Sequence, residues 1–261
     1  MIKIPYGHTH LSCQIQPQAV LCSEIDRMHS DKSGRQLVEE AMRNPIASLP
    51  LRELAKTRKN AVVIISDHTR PVPSKDIIPP ILTELRDGNP NIDITLLVAT
   101  GFHRGTKKEE LIEKLGKDIV QQEKIVVHDA FSAENNVQIG TLPSGAPLVV
   151  DRVAAETELL VAEGFIEPHF FAGFSGGRKS VLPGICEKTT VLGNHCGAFI
   201  ASDYARTGQL KNNPIHLDMI AAAKLARLEY IVNVIIDENK KTVAAFAGNF
   251  ELAHYKGVEF L

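Results

Sequence analysis

The sequence predicts an α/β fold in which a mostly parallel sheet is flanked by helices on both faces. Short β-branched runs such as "AVVIISD" (61–67) and "ITLLVATG" (94–101) have the length and composition of buried strands. Helical patterns stand between them, "SKDIIPPILTELRDG" (74–88) and "TKKEELIEKLG" (106–116). Strand and helix alternate in this way through most of the chain, which is the grammar of crossover connections in a parallel sheet.

Each element has its own signal. Ser74 predicts a helix cap and Gly88 a stop, while Pro79 and Pro80 predict an interruption or kink, because proline lacks the N–H that a helix interior needs. Thr106 with Glu109 spells a capping box for the following helix. "KIVVHDA" (124–130) is the third strand, and "VQIGTLPSGAPLVV" (137–150) reads as a small hairpin turning at Pro143, Ser144 and Gly145. "ELLVAEGF" (158–165) is the fourth strand. "NPIHLDMIAAAKLARL" (213–228) carries Pro214 in a helical first turn, and "YIVNVIID" (230–237) and "TVAAFAG" (242–248) read as paired strands. The last segment is a helical pattern that reaches Leu261 without a cap or polar tail, which predicts that the chain is one lobe of something longer.

Composition narrows the function. The 261 residues carry a formal charge of −2, so no basic excess is available for a nucleic-acid backbone. The four cysteines, Cys13, Cys22, Cys186 and Cys196, form no C-x-x-C pair and no dense framework, and are read as reduced thiols. The N-terminus lacks the apolar core of a signal peptide, and no apolar run approaches the ~20 residues of a membrane span. A cytoplasmic protein is expected.

Polar residues gather at the predicted strand ends, in "SDHTRP" (66–71), "ATGFHRGT" (99–106), "HDAF" (128–131) and "EGFIEPHFFAGFSGGRKS" (163–180). Such ends are where open parallel sheets bind ligands, so the four loops are expected to share one cleft. "GFSGGRKS" resembles a phosphate loop in composition but not in spacing, since Arg178 stands where the second glycine of G-x-x-x-x-G-K-[ST] belongs. Of the ten histidines, His8, His10, His29, His216 and His254 are read as surface residues, and His128 as a structural partner of Asp129. His103, His169 and His195 lie in Gly-rich or aromatic loops. Two such imidazoles can serve as acid and base, and a third can hold a borderline metal such as nickel, copper or zinc. Lys179 can bond a carbonyl-type group, and Arg70 and Arg178 can hold a carboxylate or phosphate. Residue types alone leave these options open.

Four motifs in order, "SDHTRPVPS", "ATGFHRGT", "EPHFFAGFSGGRKSVLPGI" and "NHCGAF", resemble the nickel-dependent lactate racemase family, whose members racemise or epimerise 2-hydroxyacids with a nickel pincer nucleotide. The likeness runs from about residue 5 to the end of the chain. It implies a two-lobed enzyme of which residues 1–261 form the N-terminal catalytic lobe, with at most the first elements of the second lobe at about 240–261 and the C-terminal lobe missing from this chain. It implies that Lys179 is joined as a thioamide to a pyridinium-3,5-bisthiocarboxylate mononucleotide and that His195 is the protein ligand of its nickel. His103 and His169 match the acid/base pair. Asp67, His68, Thr69 and Arg70 match the loop that binds cofactor and substrate. The implied reaction is the interconversion of D- and L-lactate, or of a related 2-hydroxyacid or sugar acid, and the implied partners are the small substrate and the cofactor-biosynthesis proteins. A nucleotide-binding module without redox chemistry, and a non-catalytic homologue that stores or delivers the cofactor, are the competing readings. The second could dispense with His103 and His169, and both are present.

Overall fold

The computed structural model describes residues 2–6, 9–16, 28 and 30–261, so His8, Cys22 and His29 lie outside the described residues. The chain opens with an antiparallel pair, β1 (Ile2–Tyr6) and β2 (Thr9–Cys13). Then come α1 (Gly34–Arg43), α2 (Leu51–Ala55), β3 (Asn60–Ser66), α3 (Ser74–Gly88), β4 (Asp93–Ala99), α4 (Lys108–Leu115), α5 (Lys117–Gln122) and β5 (Lys124–Val127). A hairpin of β6 (Asn136–Thr141) and β7 (Pro147–Asp151) leads through α6 (Arg152–Ala155) to β8 (Leu160–Phe165). The short strands β9 (Pro168–His169) and β10 (Gly173–Phe174) precede a 3-10 turn over Gly177–Ser180, then α7 (Lys188–Asn194) and α8 (Gly197–Ile200). The chain closes with α9 (Pro214–Leu225), β11 (Leu228–Ile236), β12 (Thr242–Asn249) and α10 (Phe250–Phe260).

Six strands form the main sheet in the order β12-β11-β8-β3-β4-β5. All neighbours are parallel except the edge pair β11–β12. From β3 the chain moves outward through β4 to β5, and it then returns to lay β8 on the other side of β3. The loops leaving β3 and β8 therefore diverge, which opens a crevice at the carboxyl ends of these central strands. Residues 242–261, beyond the point where a second lobe was expected to start, add the antiparallel edge strand and a helix to this same sheet.

Alternation along the strands builds two cores. Val63, Ile65, Leu96 and Val98 pack with α1, α3 and α4 on one face. Val62, Ile64, Leu97 and Ala162 pack with α7, α9 and the 181–186 segment on the other. This is the two-sided burial that the apolar runs predict.

Three local expectations are corrected. Helix α3 runs unbroken through Pro79 and Pro80. Ile77, Ile78, Ile81, Leu82 and Leu85 are buried along it, and at ~1.5–3 kcal/mol each this burial outweighs the ~3 kcal/mol a helical proline costs. Ser74 is the first helical residue rather than the cap, because its hydroxyl donates to the Glu163 carboxylate at 2.7 Å. The α4 cap falls one residue later than expected, with Glu110 accepting the Lys107 N–H at 2.8 Å while Thr106 turns to His68. The helix α1 carried an unread signal, the capping box of Ser33 and Gln36.

Candidate active site

The crevice between β3 and β8 holds a cleft of about 360 Å³. Asp67 and Arg70 from the loop after β3, His103 from the loop after β4, His169 and Lys179 from the loop after β8, and His195 at the end of α7 all line it. His68 and Thr69 do not. His68 sits in an adjoining groove, its Nδ1 3.1 Å from Thr106 Oγ1, and the Thr69 hydroxyl donates to Asp67 Oδ1 at 2.7 Å. The third predicted loop also stays outside the cleft, touching its neighbour through Phe131 packed edge-on against Phe102.

The 66–74 loop is closed by one buried carboxylate. Glu163 Oε1 accepts from the Ser66 N–H and hydroxyl, both at 3.2 Å, and from the Ser74 hydroxyl at 2.7 Å. Both ends of the loop are thus tied to one oxygen, and Lys114 Nζ donates to the Arg70 carbonyl in its middle at 3.2 Å. Burial pushes the Glu163 carboxyl up, against the pull of Lys114. Sequence reasoning assigned Glu163 no role, although a glutamate inside the apolar run "LLVAEGF" is itself a signal of a buried charge.

The two candidate acid/base histidines are held in opposite senses. Asp67, fully buried, lies with Oδ2 2.6 Å from His103 Nδ1. The carboxylate accepts that N–H, which leaves His103 Nε2 as a bare acceptor. His169 Nδ1 instead accepts the backbone N–H groups of Phe171 and Ala172 at 3.5 and 3.3 Å, so its proton resides on Nε2. The His169 ring stacks on Phe170 and meets the edge of Phe171, and its Nε2 lies 3.4 Å from Lys179 Nζ.

Lys179 owes its position to the residues around it. Gly176 and Gly177 both have positive φ, and a Cβ on Gly177 would come within 2.8 Å of the His254 ring. The Gly177 N–H donates to Asn233 Oδ1 at 2.7 Å, which fixes the start of the turn. Arg178 is fully buried and cannot hold a substrate carboxylate. Its guanidinium donates to the carbonyls of Ala172, Ser175 and Gly176 and to His216 Nδ1 at 3.1 Å, and it lies 3.0 Å from His254 Nε2, which is itself 2.8 Å from the Ser175 carbonyl. His216 and His254 are therefore core residues rather than surface ones. His128 is likewise structural, but its Nδ1 pairs with Asp151 at 3.0 Å rather than with Asp129.

Burial, reinforced by Arg178 and Arg70, lowers the Lys179 ammonium to a pKa of about 7. Burial, then Lys179 and His195, lowers His169 to about 3. Burial and Lys179 lower His195 to about 4, and its Nδ1 is buried without a hydrogen-bond partner among the described residues. His216 falls to about 3, chiefly by burial and then by Arg178. An unfolded chain protonates these rings near 6.5 whereas the folded one does not until pH 3–4. The unfolded state therefore binds more protons between those limits, and stability falls as pH drops from about 6.5 toward 4. The urea midpoint of the protein is expected to fall steadily across this range, and less steeply in His195→Phe; a flat profile would show that the rings are already charged in the native state.

The residues brought together here belong to a region with clear relatives. The sequence profile described as lactate racemase N-terminal domain matches residues 6–208. The chain belongs to the lactate racemase N-terminal domain family. The chain is 52% identical over its whole length to a lactate racemase of Thermoanaerobacterium thermosaccharolyticum, and 49% identical to one of Lactiplantibacillus plantarum. It spans 62% of the length of each of these curated relatives. Its fold matches the lactate racemase apoprotein of T. thermosaccharolyticum with a TM-score of 0.92, covering 99% of this chain and 61% of that one. A Thermotoga maritima protein at 23% identity, TM-score 0.72, has the same fold over 87% of this chain and 58% of its own.

Proposed function

We propose that residues 1–261 are the N-terminal catalytic lobe of a two-lobed lactate racemase, working in the cytoplasm with a lysine-tethered nickel pincer nucleotide supplied by cofactor-biosynthesis proteins. The observation that carries this reading is the convergence of Lys179, His169, His103, His195 and Arg70 on one cleft, in a chain about half identical throughout to curated lactate racemases.

The residues fit the group. A lysine with a pKa near neutrality is a competent nucleophile for a thiocarboxylate-derived link. The orphaned His195 Nδ1 is a buried donor atom in need of a partner, and a metal supplies one. Among the described residues no three metal-binding side chains converge, so the remaining donors to a metal at His195 would come from the tethered group. When bound, that group supplies a hydride acceptor for the substrate α-carbon.

The chain's own residues do the rest. Arg70, whose guanidinium hydrogen-bonds only the Thr69 hydroxyl, at 2.9 Å, among the described residues, is placed to hold the substrate carboxylate. His103, its Nδ1 proton spent on Asp67, accepts the hydroxyl proton of one enantiomer at Nε2. His169 holds a proton at Nε2 for the substrate oxygen when the other enantiomer forms. Fixing the carboxylate while the carbon inverts makes both directions intramolecular in character. Asp67, Thr69 and His68 keep this loop and its adjoining groove in place for cofactor and substrate.

The test is to express the full-length protein with cofactor-biosynthesis proteins and to follow intact mass, nickel content and lactate chirality. One adduct, one nickel and the equilibration of D- and L-lactate are expected. A loaded protein that leaves lactate unchanged would overturn the substrate, and a protein that stays bare would overturn the cofactor.

A further inference from the structure

Lys179 Nζ stands in the cleft without an acidic partner. The charged groups acting on it are two cations, Arg178 and Arg70, and its nearest polar neighbour is His169 Nε2 at 3.4 Å. An ammonium ion there has no carboxylate to pair with among the described residues, so a substantial share of Lys179 is the neutral amine at neutral pH. Arg178 is spent on its ring of buried acceptors, whereas Arg70 is exposed and its guanidinium has no carboxylate partner among the described residues. The cleft therefore offers a nucleophilic amine, a proton-bearing imidazole and a free anion clamp together.

We propose that in the cofactor-free protein Lys179 condenses with small 2-oxoacids, forming an imine with the 2-oxoacid carboxylate held by Arg70. The Nζ lone pair attacks the keto carbon, and one of the two amine protons passes to the carbonyl oxygen to give a neutral carbinolamine. His169 Nε2–H protonates the hydroxyl, which leaves as water, and the proton lost from nitrogen returns to the imidazole. Amine and ketone become imine and water with no net redox change. The choice of a 2-oxoacid rests on the racemase reading, because a 2-hydroxyacid that loses hydride and proton is a 2-oxoacid; the reactivity of the amine does not. The site would thus take up oxidised substrate whenever Lys179 is not occupied by its cofactor.

The experiment is reductive trapping. Protein purified without cofactor is mixed with pyruvate and cyanoborohydride, then measured by intact mass and peptide mapping. A single adduct on Lys179, heavier by pyruvic acid less one oxygen atom, is expected. Arg70→Met should reduce pyruvate trapping about tenfold, the effect of losing one charge-assisted contact, and should reduce propanal trapping by a smaller factor, because Lys179 loses one of the cations that lower its pKa. Protein already loaded with cofactor should trap nothing at this position. Adducts spread over surface lysines with Lys179 bare would overturn the proposal. Trapping at Lys179 in a protein that, once loaded, does not racemise lactate would overturn the racemase reading alone.

Discussion

Lys179→Ala is expected to give a folded protein that carries no covalent cofactor, retains no nickel through dialysis and racemises lactate only at background. The loss is complete rather than graded, because the tether and most of the metal's donors would leave together and His195 alone makes a weak site. The fold should survive, since Lys179 donates to no carboxylate and its ammonium is held below its ordinary pKa by burial and by two neighbouring cations. Truncating it relieves an unfavourable charge more than it removes a contact. Intact mass, metal analysis and a chiral lactate assay on the full-length variant check the three parts separately. An adduct persisting in the variant would mean that another residue carries the group.

His103→Ala and His169→Ala should each keep the adduct and the nickel but lower racemisation by a factor of ~10²–10⁴, the usual share of a positioned acid or base. The two should differ in detail. His103 is backed by Asp67 at 2.6 Å, so Asp67→Asn is expected to weaken turnover in the same direction by misplacing the ring proton. His169 has only backbone N–H groups behind it, so no side-chain variant should mimic its loss in that way. Racemisation surviving in the double histidine variant would remove both from the chemistry.

Much of this site is legible in the sequence for physical reasons. Strand ends of a parallel sheet gather loops, and the motifs after 66, 99 and 163 carry the residue types that acid/base and tethering chemistry require. What could not be read were partners far apart in the chain. Nothing local marks Glu163 as the carboxylate that joins Ser66 to Ser74, because its neighbours are set by sheet pairing. Arg178 sits beside Lys179 in sequence yet points the opposite way, into a pocket made by helices from 214 onward. His216 and His254 looked like surface residues because their buried partner lies tens of residues upstream. The prolines of α3 were misread for the converse reason, that tertiary burial along one helix face exceeded a local backbone penalty.

The guanidinium of Arg178 also sets the order in which the molecule can be finished. Its ring of partners includes His216 on α9 and His254 on α10, and the same His254 accounts for the glycine at 177. A chain emerging from the ribosome makes the central strands and the Lys179 loop early, but a buried cation with two of its five partners missing is too costly to seat. The loop then has to wait for α10 before it closes. The candidate site, carried by residues 67–195, is therefore completed only after residues as far on as 254 are in place.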